Sequence, residues 1–201
     1  MFQLFIKGGP VMLLLFLCSF VGVYVIIQKY LYLKVNQIDD DYYLDKIKNK
    51  LITVGKAESI RQLKLERKLM LRVLAGAIKL SDGSSDEIQN GIKEVTYLEL
   101  PKLEKNMNIL SSIITVAPLL GLLGTVIGLM KIFNVISGGN LGDPTMLSAG
   151  IAQALITTVT GLAIAIPFIF LYQYLSHRIE MFILSTEKVV NEILNFCKSH
   201  G

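Results

Sequence analysis

Between Pro144 and Ser176 the chain carries no Asp, Glu, Lys, Arg or His. Such a run exceeds the roughly 20 apolar residues that a helix needs to cross hydrocarbon. In lipid, backbone groups have no water to bond, and a helix satisfies them within its own segment. A membrane-spanning helix is therefore the expected form. The span is not uniformly apolar. Gln153, Thr157 and Thr160 fall on one side of a helical wheel beside Gly150 and Gly161, while Leu155, Ile156, Leu162 and Ile166 fill the remaining arc. Thr158 lies on the far flank of the small-residue stripe Gly150, Ala154, Gly161 and Ala165.

Two more runs have the same character. Val11 to Ile27 is uncharged and passes directly into Lys29, Tyr30 and Lys34, an aromatic and basic belt in place of a small-residue cleavage site. Ile109 to Ile136 is interrupted by Pro118 and several glycines, and Pro118, Gly121, Thr125 and Gly128 share one arc of its wheel. Small residues let membrane helices approach closely, and a carbonyl freed by proline needs help from a neighbour. This helix is accordingly expected among other helices, with Lys131 snorkelling near its end. With 52% apolar residues and a mean hydropathy of +0.54, the chain is too apolar for an ordinary soluble domain.

The expected architecture is all-α and polytopic, with three transmembrane helices extended into a cytoplasmic helical bundle. Its segments are a first span within 1–31, a cytoplasmic region 32–107, a second span 108–136, a turn 137–143, a third span 144–176 and a C-terminal helix 177–201. The third span and the C-terminal helix are expected as one long helix ending near Cys197. Within 32–107, one amphipathic helix is expected before Gly55 and a second over Ala57 to Leu80. A third, starting at the capping box Ser84 to Glu87, is expected to run through Pro101 straight into the membrane.

The charges of this region nearly cancel. Fourteen of the twenty basic residues and twelve of the sixteen acids lie between residues 31 and 107. The net charge of +4 thus marks no basic tract, and nucleic acid is excluded as a partner. Lys29, Lys34, Lys102, Lys105 and Arg178 flank one set of span ends, and the turn at 137–143 has no Lys or Arg. The positive-inside rule then places the N-terminus and that turn on the outer side of the membrane, and residues 32–107 and the C-terminus on the cytoplasmic side. Cys18 and Cys197 lack metal spacing and are read as reduced thiols. No nucleophile with a base, metal-ligand cluster or phosphate loop is visible, so neither an enzyme nor a bound metal or cofactor is expected.

GGPVM before the first span, APLLGLLGTVIGL in the second and GIAQALITTVTGLAIAIP in the third resemble the signature stretches of the ExbB and TolQ branch of the MotA/TolQ/ExbB proton-channel family. The resemblance covers all three spans in order and spacing. A single span before the cytoplasmic region, in place of two, separates the chain from MotA-type flagellar stators, and a passive helical scaffold is the other alternative.

The resemblance implies a homo-oligomeric ring of five subunits around the single transmembrane helices of an ExbD- or TolR-like partner. That partner supplies the ion-carrying Asp. The motor would use the proton motive force to energise envelope processes such as TonB-dependent transport, with a TonB- or TolA-like protein as a further partner and membrane lipids around it. Protons are the implied ion and sodium the alternative. The family pattern places Thr125 and Thr158 on the lumen, and the helical wheel adds Gln153 and Thr157 to the ion pathway. Pro118 and Pro167 are assigned to helix bending, and Gly121, Gly128, Gly150 and Gly161 to close packing. At the position of Gln153 many relatives carry Glu. An amide cannot carry a proton, so the titrating group must come from the partner.

Overall fold

The computed structural model describes residues 8–36, 40–66, 68–81, 83, 101, 103–137 and 144–200. Among these residues it is all-helical, with α1 at Pro10–Asn36, α2 at Asp40–Val54, α3 at Lys56–Leu65, α4 at Leu69–Leu80, α5 at Met107–Ser137 and α6 at Pro144–His200. Helices α1, α5 and α6 are each long and apolar enough to cross a membrane. At 27 residues, α1 has a length of about 40 Å.

The chain divides into two compact units, Met1–Gln28 with Asn106–Tyr174, and Lys29–Lys105 with Leu175–Gly201. In the first, Val11, Met12 and Leu15 of α1 bury against Ala117 of α5, with Leu120, Ile127, Ile156 and Ile164 packed around them. The Phe168 ring lies over Gly22, where a side chain would collide with it.

The second unit has a conventional apolar core. Leu44 and Ile47 of α2, Leu63 of α3, Met70, Leu74 and Ile78 of α4, and Val189, Val190, Ile193 and Leu194 of α6 form one cluster. Its helical joints are built from polar groups. Gly55 takes φ +80 between α2 and α3, a conformation that favours glycine. Where a single helix over Ala57 to Leu80 was expected, the backbone turns extended at Glu66 and at Lys68 and divides it into α3 and α4. The Leu69 amide that opens α4 donates to Asn36 Oδ1 at 3.1 Å. That bond satisfies one of the orphan donors of a helix start, and α1 supplies the acceptor.

A second difference lies at the entry to α5. The helix begun at Ser84 falls outside the described residues, and the expected run straight into the second span is interrupted by a turn at Lys105 and Asn106. Asn106 has φ 70, a left-handed conformation that Asn tolerates better than most residues. Its carbonyl accepts from the Ile109 and Leu110 amides at 3.1 and 3.4 Å and so starts α5 afresh. The Asn106 side chain donates to Gln28 Oε1 at 2.7 Å, which fixes the turn to α1.

Candidate functional site: the seam of α5 and α6

Helices α5 and α6 pack antiparallel along a seam of small residues. Ala117 faces Gly161, Gly121 faces Thr158, and Gly128 faces Gly150 and Ala154. The fit leaves no room for side chains on the glycines. A β-carbon on Gly128 would lie 2.7 Å from the Gly150 carbonyl oxygen, and one on Gly161 would lie 2.6 Å from that of Ala117. Contact at this range needs small residues on both helices, and the sequence supplies them at three- and four-residue spacing.

The hydroxyls divide into two groups. Thr157 is 0% exposed, packed against Gly124, and its Oγ1 donates to the carbonyls of Gln153 and Ala154 in its own helix, both at 3.0 Å. The wheel put Thr157 on the polar side of α6; the structure encloses that side chain between two helices of the same chain. Thr158 is half-buried, and its Oγ1 donates across the seam to the Gly121 carbonyl at 3.2 Å. Thr125 is half-buried on α5 and donates to its own Leu122 carbonyl at 2.6 Å. Thr160 likewise bonds within its own helix, to the Ile156 carbonyl at 2.7 Å.

Gln153 is 3% exposed, and its Oε1 accepts from Lys131 Nζ at 2.7 Å. Its Nε2 is buried with no hydrogen-bond partner among the described residues. Gly9, at φ +70, lies beside that nitrogen, and a β-carbon there would come within 2.7 Å of it. Lys131, exposed near the end of α5, thus bonds to a neighbouring helix. Gln153 and Lys131 border a cavity of about 770 Å³ together with Asn134, Thr145, Ser148 and Ala149.

The structure thus brings Gly121, Gly128, Gly150, Gly161, Thr157 and Thr158 together in one seam. Gln153 lies one helical turn before Thr157 on α6. Pro118 and Pro167 sit inside helices that continue through them. The wheel missed Gly124, Ala117 and the Lys131 contact. The three- and four-residue spacing of Gly121, Gly124 and Gly128 carried the signal for the first. Nothing in one helix's pattern signals a bond to another. Among the described residues, no group of three or more His, Cys, Asp or Glu could hold a metal, and no Asp or Glu occurs within α1, α5 or α6 up to Tyr174.

The family model described as the MotA/TolQ/ExbB proton channel family matches residues 36–188. An ExbB homologue of biopolymer transport proteins from Methanothermobacter thermautotrophicus is 29% identical over 179 residues, 89% of this chain and 63% of that protein. The chain thus spans less than two thirds of that relative. An ExbB-like protein of Synechocystis is 33% identical over 162 residues, 79% of this chain and 77% of that protein. The Tol-Pal system protein TolQ of Haemophilus influenzae is 41% identical over 81 residues, 40% of this chain and 36% of that protein.

Proposed function

Because the chain belongs to the MotA/TolQ/ExbB proton channel family, we propose that it is the ring subunit of an ion-driven motor in a bacterial inner membrane. On this reading five copies surround the helices of a single-span, ExbD- or TolR-like partner, and protons cross along a path beside α5 and α6. The motor would energise an envelope process such as TonB-dependent transport. The N-terminus and residues 138–143, where a turn is expected and which lie outside the described residues, face the periplasm, and residues 32–107 and the C-terminus face the cytoplasm.

One observation carries the proposal. The chain's membrane spans offer hydroxyls and an amide but no carboxyl. Such groups hydrogen-bond water and orient an acid without titrating themselves. An intramembrane acid is costly unless polar groups receive it; the Thr125 and Thr158 hydroxyls, which donate to backbone carbonyls, keep lone pairs that can accept from water or from a protonated acid. Thr157 contributes by holding the seam.

The test is proton flux into liposomes containing the ring and its co-expressed single-span partner. Flux that requires the partner's intramembrane acid is expected. Rings that assemble with the partner yet carry no flux at any imposed gradient would return the chain to a passive scaffold.

A further inference from the structure

Lys131 poses a problem of charge. It sits six residues before the end of α5 at Ser137, about 9 Å along the axis, in a helix otherwise free of charge. Lys131 is exposed in the single chain, and an ammonium on a spanning helix is costly without a counter-ion once lipid or another helix covers it. Among the described residues its hydrogen-bond partner is the neutral Gln153, and no carboxylate occurs in the spans to balance it. Asp143, the acid nearest to the start of α6 in sequence, lies outside the described residues. Gln153 adds a second unmet demand, since its buried Nε2 is a donor without an acceptor.

Lys131 borders a cavity whose α6 wall is made of Thr145, Ser148, Ala149, Gly150 and Ala152, with Met146 as its one large side chain, while the Gln153 nitrogen is enclosed against Gly9. Small side chains of this kind let another helix approach closely. They leave Lys131 and Asn134 of α5 as the polar side chains that a visiting group would meet.

We propose that this cavity receives a carboxylate carried on a partner's transmembrane helix, and that Lys131, held in place by Gln153, is its counter-ion. The inference rests on the motor reading and deepens it by assigning a fixed cation in this chain to the partner's acid. Lys131 is then a positioning and tuning residue. By stabilising the ionised carboxylate it sets the pH at which the acid takes up a proton. Gln153 aims the ammonium and leaves its charge intact, a role that a Glu at this position could not fill because it would neutralise the lysine.

The test uses the ring co-purified with its single-span partner. A hydrophobic carbodiimide activates the partner's intramembrane carboxyl, and attack by Lys131 Nζ expels the urea and leaves an amide. Mass spectrometry is expected to find that cross-linked peptide. In liposomes, Lys131→Gln is expected to move the midpoint of flux against pH upward by roughly one to three units, because loss of a neighbouring cation favours the protonated acid. Lys131→Arg is expected to restore the midpoint.

Absence of the amide while other lysines of the complex react would overturn the inference, as would an unchanged midpoint in an assembled Lys131→Gln ring. Loss of a bound phospholipid from that variant, with its midpoint unmoved, would overturn it in favour of a lipid phosphate. A conducting complex with either result leaves the motor reading standing. A ring that carries no partner helix removes both.

Discussion

Gln153 stands at the centre of the residue-scale picture, because it meets Lys131 with its oxygen and leaves its nitrogen unpaired in a buried site. Its residue type was legible in the sequence as an amide in an apolar span. Its partner was not, since helical periodicity describes one helix at a time and Lys131 belongs to another. On the motor reading, Gln153→Ala should weaken flux without abolishing it, because the partner's acid would carry the proton; complete loss in assembled rings would contradict a supporting role. Gln153→Glu should create an ion pair with Lys131 and raise the flux midpoint in the same direction as Lys131→Gln. Away from the membrane, Arg61 and Gln62 donate hydrogen bonds to Glu58 and hold its carboxyl down at about 2 from 4.5. The sign follows from the lowered value. Any stabilisation from this pair is present above the ordinary carboxylate range and is lost as pH falls through the folded-state value. Carboxyl-carbon NMR should show Arg61→Ala returning Glu58 towards its ordinary titration.

At the scale of elements, the spans could be placed because charge ends them, and the glycines of α5 and α6 could be assigned to packing because of their spacing. The interruptions at Glu66 and at Asn106 could not. Both occur in stretches whose residues tolerate a helix, and the groups that fix them, the Asn36 and Gln28 side chains, are distant in sequence. Asn36→Ala should remove the acceptor for the Leu69 amide and cost about 0.5–2 kcal/mol, by analogy with a lost N-cap. A lower melting temperature of the purified protein would reveal it. Gly124→Val should be more damaging, since any β-carbon there collides with Thr157. Overpacking of this kind costs typically 1–3 kcal/mol. Thr157→Ala in the same chain should recover part of the loss. A double mutant no more stable than Gly124→Val alone would place the strain elsewhere.

For the whole molecule, the number of candidate membrane spans was legible from three long apolar runs, and the family from the motifs they carry. Subunit number was not, because what decides it lies on surfaces that a single chain leaves uncovered. Phe20, Leu123, Leu155 and Val159 are large apolar residues exposed along the spanning helices, and lipid or other copies must cover them. Native mass spectrometry of the solubilised assembly should find five copies of this chain; a stable monomer or dimer would refute the ring. The seam of α5 and α6 bears on how such a ring could work. With carbonyls on one helix lying against glycines of the other, the two cannot slide or roll past each other without overlap of their backbones. In the proposed ring each protomer would therefore bring the pair as one stave. A stroke driven by an ion would then open and close the joints between staves, and the energy of the gradient would be delivered where subunits meet each other or their partner.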